Sequence, residues 1–248
     1  MAKIYNKNEK TDDLNKGRSE RFAIYYAPEP FSKFHALGSA WLGRDTQTGK
    51  VISQPSIDRM TAKRFFKLTE SARHYGFHAT LKPPFRLKCG MKQNLLKKAI
   101  KEICENITPF SIQLDIHLLG KFFALMLPKK NPGIQKLAEA MVRDIDVFRG
   151  PSTSKEIEAR RKKGLSHKEN QNLVTWGYPY VFSEFQFHMT LTDRIQSSEE
   201  QAIIYDSLQS HFKDFLKKDI TIEEVCLFHQ INRQTPFTLV DRFKLSLG

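Results

Sequence analysis

The spacing of apolar residues along the chain alternates between a helical period and a strand-like period. Periods of three to four residues, with capping residues at several ends, predict helices over 56–73, 91–106, 132–148 and 198–216. Apolar and aromatic runs bounded by turn residues predict strands over 21–27, 75–81, 110–119, 122–127, 185–191, 221–231 and 237–247. This order of elements predicts an α+β protein in which antiparallel sheets are covered by helices.

Three stretches depart from this pattern. Residues 1–20 are polar and charged with little to bury, which predicts a disordered tail. Residues 28–55 begin and end with proline and predict a long irregular connection. Residues 150–176 are dense in charge and poor in large apolar residues, which predicts an inserted basic helix or a mobile flap, with a solvated surface segment as the alternative. We therefore expect one domain over 21–248 with an insertion at about 150–176.

One short motif occurs twice. Gly76-Phe-His-Ala-Thr-Leu81 and Gln186-Phe-His-Met-Thr-Leu191 share Phe, His, Thr and Leu at identical spacing. The predicted context repeats as well, because each copy follows a helix and precedes another helix and two strands. A repeat of this kind predicts two similar lobes.

The residue types of the motif suit acid–base chemistry on a phosphate ester. Side chains alternate across a strand, so His78 and Thr80 point to one face, and His188 and Thr190 do the same in the second copy. If the lobes meet about a pseudo-twofold axis, two imidazoles and two hydroxyls converge in one cleft. Histidine titrates near neutral pH and serves as acid or base, and Thr hydroxyls can donate to phosphate oxygens. We therefore predict these four residues to be catalytic.

The repetition is what favours catalysis. A single His-x-Thr on a strand is most often a half-buried structural pair, whereas two copies in matching context indicate a shared site. Two His and two Thr lack the third His, Cys or carboxylate that zinc takes, so we expect no metal. A glycine-rich phosphate loop is missing around Gly120-Lys121, so we expect neither ATP nor another cofactor.

The two motifs resemble those of a known superfamily. His78-Ala-Thr80-Leu and His188-Met-Thr190-Leu look like the two His-x-Thr/Ser-hydrophobic motifs of the 2H phosphoesterases. The resemblance implies a bilobal duplicated α+β fold, with two antiparallel sheets flanked by helices around a central cleft. It also implies metal-independent hydrolysis of a cyclic phosphate or a related phosphodiester.

A closer resemblance extends from about Arg21 to the C-terminus. Phe22-Ala-Ile-Tyr-Tyr-Ala-Pro28, Gly38-Ser-Ala-Trp-Leu-Gly-Arg44 and Tyr75-Gly-Phe-His-Ala-Thr-Leu-Lys-Pro-Pro-Phe85 are similar to a branch of uncharacterised phosphonate-metabolism proteins. This resemblance implies a phosphorylated or cyclic-phosphate sugar intermediate as the substrate class. The segment 150–176 departs from the compact pattern of the family, so the resemblance does not indicate how a substrate reaches the cleft.

Two aromatic residues and one arginine are candidates for substrate binding. Tyr25 and Tyr26 point to opposite faces of the first strand, so one of them faces the cleft. We assign Tyr26 to ligand stacking, with core packing as the alternative. Trp41 and Arg44 lie in the predicted connection, where binding residues are frequent.

Basic residues that follow the two motifs are further candidates. Lys82, Arg86 and Arg194 could hold a second phosphate by charge-assisted contacts, or they could be exposed charges at strand ends. His117 and His229 lie at similar offsets after the two motif histidines and are expected to be equivalent strand residues without a catalytic role.

Charge and composition fit an anionic partner. Lys and Arg number 40 against 27 Asp and Glu, a net charge of +13, which attracts phosphorylated small molecules and RNA ends alike. Three scattered cysteines and the lack of an apolar leader or of a run of about 20 apolar residues favour a reducing, cytoplasmic setting without a membrane. We thus expect a phosphodiesterase with no obligate protein partner. An RNA-binding or RNA-end-processing protein that uses the same basic cleft is the alternative.

Overall fold

A computed structural model of the chain describes residues 20–246, so the tail predicted over 1–20 lies outside the described residues apart from Glu20. The strands in this range are β1 (Arg21–Tyr26), β2 (Ala79–Phe85), β3 (Phe110–Gln113), β4 (Asp115–Leu119), β5 (Phe122–Met126), β6 (His188–Thr190), β7 (Asp219–Ile222), β8 (Glu224–Gln230) and β9 (Thr238–Lys244). The α-helices are α1 (Lys33–Leu42), α2 (Ala62–Leu68), α3 (Glu70–Tyr75), α4 (Gln93–Cys104), α5 (Pro132–Arg143), α6 (Ser154–Arg161), α7 (His167–Trp176) and α8 (Ser198–Phe212).

The strands form one large sheet and one small one. The large sheet has seven strands in the order β4-β5-β6-β2-β1-β8-β9, and β3 pairs with β7 in a two-stranded sheet. The α+β class is thus confirmed, but the motif strands do not belong to two separate sheets. They join both halves of the chain in a single sheet, because β2 and β6 pair antiparallel with Ala79 opposite Met189.

The main core lies on one face of the large sheet. Both motifs contribute to it, since Phe77, Ala79, Leu81 and their counterparts in the second copy are almost fully buried in one apolar cluster. Burying a large apolar side chain stabilises the fold by about 1.5–3 kcal/mol, so this face anchors the motif strands. The opposite face carries the histidines and a smaller apolar cluster around Tyr25 and Phe228.

A helix replaces the predicted irregular connection. The α1 helix begins after Ser32, whose side chain accepts a hydrogen bond from the His35 amide, and ends at Gly43 in the left-handed conformation with φ 78°. Gly38 obscures the helical signal in the sequence, yet a Cβ there would lie 2.0 Å from the Phe77 ring. The glycine therefore lets α1 approach the first motif closely.

Other predicted elements differ mainly at their ends. The helix predicted over 56–73 is two helices, α2 and α3, that meet at Thr69. The strand predicted over 122–127 is confirmed and pairs with β4 in a hairpin around Gly120, while the strand predicted over 110–119 is divided into β4 and β3, of which β3 pairs with β7. No helix within residues 20–246 is long and apolar enough to cross a bilayer.

The charged insertion folds as two short helices, α6 and α7. Each begins with a capping box, formed by Thr153 with Glu156 and by Ser166 with Glu169. Glu156 also pairs with Arg86 beyond the first motif, at 2.8 Å, and with Arg233 between β8 and β9, at 2.6 Å. These contacts attach the insertion to one end of the large sheet.

Candidate active site

The two motifs meet as neighbouring strands at the centre of the large sheet. Because Ala79 lies opposite Met189 in an antiparallel pair, the register places His78 opposite Thr190 and Thr80 opposite His188. Ala79 and Met189 point into the core, so the four polar side chains share the other face. The two histidines are diagonal neighbours across the strand pair, a relation that puts their Cα atoms about 7–8 Å apart. A local twofold axis between the strands thus relates the two His-Thr pairs, as the repeat predicts.

Each histidine is oriented by a backbone carbonyl two residues earlier in the chain. His78 Nδ1 donates to the Gly76 carbonyl at 2.9 Å, and His188 Nδ1 donates to the Gln186 carbonyl at 2.8 Å. A carbonyl oxygen can only accept, so the proton of each neutral imidazole lies on Nδ1 and Nε2 carries the free lone pair. Thr80 Oγ1 lies 3.3 Å from His78 Nε2 and can donate to it. Nε2 of each ring is thereby presented on the face of the sheet opposite the main core, which we call the cleft face.

Both imidazoles are neutral near pH 7. Burial lowers the pKa of His78 to about 4, a shift that the Gly76 carbonyl opposes and the charge of His188 increases. Burial also lowers the pKa of His188, against the opposing effect of the Gln186 carbonyl. The first histidine is more enclosed by rings: Tyr25 lies 3.9 Å and Tyr75 6.1 Å from it between centroids, whereas the Phe122 ring lies 6.4 Å from His188.

The backbone before the first motif depends on glycine. Gly76 ends α3 with φ 85°, a conformation that L side chains rarely adopt, and its amide donates to the Ala72 carbonyl. A Cβ at this position would lie 1.5 Å from Thr46 Cγ2, and Thr46 is itself buried. This turn aims the Gly76 carbonyl at His78, whereas the second copy reaches the same hydrogen bond from Gln186.

Tyr25 is the aromatic residue that faces the histidines. It lies opposite Thr80 in the pairing of β1 with β2, and it is fully buried against the His78 ring. The alternation of β1 shows that Tyr25 and Tyr26 face opposite ways, but only the register with β2 shows which one faces the cleft.

Tyr26 and Trp41 lie on the core side of the sheet. Tyr26 is 4% exposed and packs 6.1 Å from the Phe187 ring, and burial raises its pKa. Trp41 is 1% exposed, and its indole donates to the Leu191 carbonyl at 3.0 Å. Both residues support the motif strands from behind, and neither is brought to the His-Thr face.

Arg44 lies among backbone carbonyls. Its guanidinium donates to the Phe237 carbonyl at 2.6 Å and to the Arg73 carbonyl at 3.3 Å, and the residue is 5% exposed. Burial lowers its pKa, an effect that Asp45 opposes. The side chain ties the loop after α1 to α3 and to the start of β9.

Lys82 points into the core side because β2 is irregular. The register with β1 shifts between Tyr25, which lies opposite Thr80, and Ile24, which lies opposite Lys82, so the simple alternation from His78 is broken. The ammonium bonds to the Val142 carbonyl near the end of α5 at 2.9 Å and pairs with Asp146 at 3.1 Å. Burial lowers its pKa to about 8, against the opposing effect of Asp146. This cation compensates the negative end of α5.

Arg86 and Arg194 lie beyond the ends of the two motif strands. Arg86 donates to both carboxylate oxygens of Glu156, and this pairing lowers the pKa of Glu156 to about 2. Arg194 follows the second motif strand and is exposed. The strand β2 continues to Phe85 rather than ending before its two prolines. Its pairing with β6 is limited to Ala79, and prolines are tolerated where a strand has no neighbour to which it must donate.

The two histidines at similar offsets are not equivalent. His117 lies opposite Ala124, which lies opposite Thr190, so it is on the cleft face of the sheet at an exposed position. His229 lies opposite Phe22 and stacks on its ring at 4.8 Å, on the core face. The expectation that they occupy equivalent places is therefore wrong.

Donor groups for a metal are sparse. Within residues 20–246, no group of three or more His, Cys, Asp and Glu side chains is arranged to hold a metal ion. The residues near the two imidazoles are hydroxyls and phenols, which are poor ligands for zinc in their neutral forms.

Two curated proteins are similar in sequence. The ribose 1,5-bisphosphate phosphokinase PhnN of Janthinobacterium sp. (strain Marseille) is 35% identical over 197 residues, which cover 77% of this chain and 43% of that protein. The protein of the same name from Laribacter hongkongensis (strain HLHK9) is 34% identical over 181 residues, or 71% of this chain and 40% of that one. The chain thus spans less than half the length of these relatives.

Solved structures show a weaker likeness. A structure described as a phosphoesterase has a TM-score of 0.43 and 12% identity, and the likeness covers 92% of this chain and 99% of that one. E. coli LigT in complex with NADP+ has the same TM-score and coverage, with 13% identity.

A family model matches the larger part of the chain. The match extends over residues 80–238, from Thr80 of the first motif through the whole of the second motif to the start of β9. The family is described as a protein of unknown function, and the residues that it covers include three of the four side chains at the paired motifs. The chain therefore belongs to the DUF1045 family.

Proposed function

We propose that this protein is a metal-independent phosphodiesterase that opens a cyclic phosphate, or cleaves a related phosphoester, of a sugar phosphate or nucleotide. The observation that carries the proposal is the placement of two His-Thr pairs about a local twofold axis, with both Nε2 atoms facing the same cleft. A phosphate on that axis has one imidazole on each side, as an in-line displacement requires.

The chemical step uses one histidine on each side of phosphorus. One Nε2 removes a proton from water as its oxygen bonds to phosphorus, while the other imidazolium donates its Nε2 proton to the oxygen that leaves. The phosphodiester becomes a phosphomonoester, and the two histidines exchange protonation states. Thr80 and Thr190 donate to the non-bridging oxygens, whose negative charge grows in the transition state.

The surroundings of the two imidazoles support a division of the two roles. His78 is the more enclosed imidazole, and a charge on His188 further lowers the pKa of His78. A single proton shared between the two rings therefore resides first on His188. We assign His188 as the acid and His78 as the base, and an anionic substrate between them stabilises the proton on His188.

A phosphorylated sugar is the preferred substrate class. The relatives named ribose 1,5-bisphosphate phosphokinase indicate a setting in which ribose phosphates are handled, consistent with a link to phosphonate metabolism. The kinase activity itself has no counterpart in the residues of this chain, because the sequence lacks a glycine-rich loop that ends in Gly-Lys-Ser or Gly-Lys-Thr. Opening a cyclic phosphate of a ribose derivative would yield a ribose phosphate monoester.

The test is a panel of cyclic phosphates and phosphorylated sugars assayed with EDTA present. Wild type is compared with the double variant His78→Ala/His188→Ala, and His167→Ala on the exposed start of α7 is the matched control. We expect turnover that survives EDTA, is retained in the control and is lost in the double variant. Turnover that EDTA abolishes, or that the double variant retains, would contradict the proposal.

RNA binding is the second candidate, and the net charge of +13 is what favours it. An RNA-binding or RNA-end-processing protein would bind oligonucleotides with an affinity that falls steeply as salt increases. Measuring RNA affinity at several salt concentrations, beside the turnover of small cyclic phosphates, separates the two functions. Turnover of small substrates without RNA affinity supports the first.

A further inference from the structure

A group of cationic and phenolic side chains lies next to His78 on the cleft face. We call it the Arg21 cluster, and it consists of Arg21, Tyr25, Tyr75 and Arg233. Arg21 and Tyr25 share this face because they are four residues apart on β1. The Tyr75 ring packs against His78 from the end of α3. The cluster therefore adjoins the paired histidines without including them.

Arg21 carries a charge that no carboxylate balances directly. Its guanidinium donates to Gln230 Oε1, from Nε at 2.8 Å, and it lies 5.5 Å from the centre of the Phe237 ring. Among residues 20–246, Arg21 forms no ion pair with Asp or Glu. Burial lowers its pKa and the charge of Arg233 lowers it further, which the nearby phenols of Tyr75 and Tyr25 oppose.

The charges around Arg21 leave an excess of cations at this end of the cleft. Arg233 and Arg86 share a single carboxylate, that of Glu156. Among residues 20–246, Glu156 is therefore the only carboxylate that pairs with any of Arg21, Arg86 and Arg233. An anion beside Arg21 and Arg233 relieves their mutual repulsion.

Tyr25 supplies a hydroxyl donor that is not in use. The Tyr25 hydroxyl is buried and has no hydrogen-bond partner among the described residues. Burial raises the pKa of this phenol well above its ordinary value, so that it remains a neutral donor. Buried polar groups in folded proteins are almost always paired, and an orphaned one next to arginine is suited to an anionic acceptor.

We infer that the Arg21 cluster binds a second phosphate of the substrate, a phosphomonoester dianion carried by a small sugar phosphate. The inference rests on the proposed function, because it places the scissile phosphate between His78 and His188. Arginine binds such a group through two parallel hydrogen bonds, and the phenols of Tyr25 and Tyr75 add donors on the side towards the histidines.

The spacing along β1 sets the size of the ligand. Tyr25 is level with Thr80, and four residues at about 3.3 Å per residue place the Arg21 backbone about 13 Å further along the strand. The long side chains of Arg21 and Tyr25 shorten this separation from both ends. A ligand must therefore extend past the scissile phosphate to reach the cluster, as a sugar with phosphates at two positions does.

The experiment measures the binding of ligands that differ by one phosphate, so that it does not depend on turnover. Ribose 5-phosphate and ribose 1,5-bisphosphate are titrated by calorimetry into wild type, Arg21→Gln and Tyr25→Phe. Arg64→Gln is the matched control, since Arg64 pairs with Glu200 on the core side of the sheet, away from the cluster. In wild type we expect the bisphosphate to bind about 10- to 100-fold more tightly, and Arg21→Gln to remove that advantage.

The outcomes separate this inference from the proposed function. Tyr25→Phe removes only the hydroxyl and keeps the ring on His78, so we expect a loss of a few fold in affinity for the bisphosphate. Equal affinities in wild type, no measurable binding of the bisphosphate, or an unchanged ratio in Arg21→Gln overturns the inference, whether or not cyclic phosphates are hydrolysed. An effect of Arg21→Gln confined to oligonucleotides that end in a 2′,3′-cyclic phosphate also overturns it, in favour of RNA. Loss of turnover by itself, with the ratio of affinities intact, contradicts only the proposed function.

Discussion

The two copies of the motif have the same strand geometry in different surroundings. In each, a histidine donates from Nδ1 to a carbonyl two residues earlier, and a threonine lies on the same face. The first copy follows a helix that ends at a glycine with positive φ, and its histidine packs against two tyrosine rings. The second copy is a three-residue strand whose histidine has looser aromatic contacts.

This difference is consistent with the proposal that the two copies have different roles. The strand register fixes the direction of the four side chains, so this direction is the same in both copies. The residues packed around each imidazole determine how easily it holds a proton, and these residues differ between the two copies. A symmetric pair of sites would leave acid and base undefined, whereas the unequal aromatic surroundings are the basis on which we propose His78 as the base and His188 as the acid.

The comparison is tested most strongly by removing each histidine in turn. We expect His78→Ala and His188→Ala each to lower kcat by a factor of roughly 10²–10⁴, because each removes one proton-transfer group. The double variant should cost little more than either single variant, since the two residues act as a unit. Steady-state kinetics on the substrate found in the panel checks this, with His167→Ala as control. A variant that keeps wild-type kcat would show that its copy is only structural.

The glycine of the first copy has no equivalent requirement in the second. Gly76→Ala combines a positive φ with a contact of 1.5 Å to Thr46, and we expect it to lower the free energy of unfolding by about 2–5 kcal/mol. Gln186→Ala, at the matching position, should cost less than about 0.5 kcal/mol. Urea denaturation of both variants measures the contrast, and equal costs would mean that the two turns are equally constrained.

The residue after each motif also separates the copies. Lys82 is paired with Asp146 in the core, while Thr192 accepts a hydrogen bond from the Phe123 amide at the matching position. We expect Lys82→Met to lower the free energy of unfolding by about 1–3 kcal/mol, because it removes the cation that pairs with Asp146. The loss is limited because Asp146 keeps its contacts with Arg149. The KM should not change. A raised KM with unchanged stability would instead indicate that Lys82 contacts the substrate.

The assigned roles predict a bell-shaped pH dependence of kcat/KM. The base must be neutral, so activity rises as pH increases through the pKa of His78, about 4. The acid must be protonated, so activity falls about tenfold per pH unit above the pKa of His188, which lies below its ordinary value of 6.5. The optimum should therefore be mildly acidic. In the pH profile of kcat, the bound phosphate raises the pKa values of both histidines and shifts the profile to higher pH. A profile in which activity does not fall at high pH would contradict the acid role of His188.

The proposed catalytic face was predictable because the direction of its side chains depends only on local alternation. Two residues separated by one along a strand share a face, and this placed His78 with Thr80 and His188 with Thr190 without knowledge of the fold. The repeat predicted that the two motifs share one cleft, but it did not predict that their strands pair. The division into two separate sheets did not hold, since nothing local shows that β6 is inserted between β5 and β2.

The residues around the proposed site were harder to predict because their placement depends on register and on contacts distant in sequence. The choice between Tyr25 and Tyr26 needs the pairing of β1 with β2. The direction of Lys82 depends on a bulge that periodicity does not reveal. The helix α1 was hidden by Gly38, whose presence is explained only by the ring of Phe77 packed against it.

The position of β6 has a consequence for how the chain folds. This strand of three residues pairs with β5 through Leu125 and with β2 through Ala79, partners that lie 64 and 110 residues earlier in the sequence. Contacts between residues so distant in sequence have an entropic cost of loop closure, so we expect them to form after the local hairpins. Until β6 is in place, the inner edges of β5 and β2 are unpaired and open to strands of other chains. The proposed catalytic pair and the protection of the nascent sheet against aggregation thus both depend on the docking of β6.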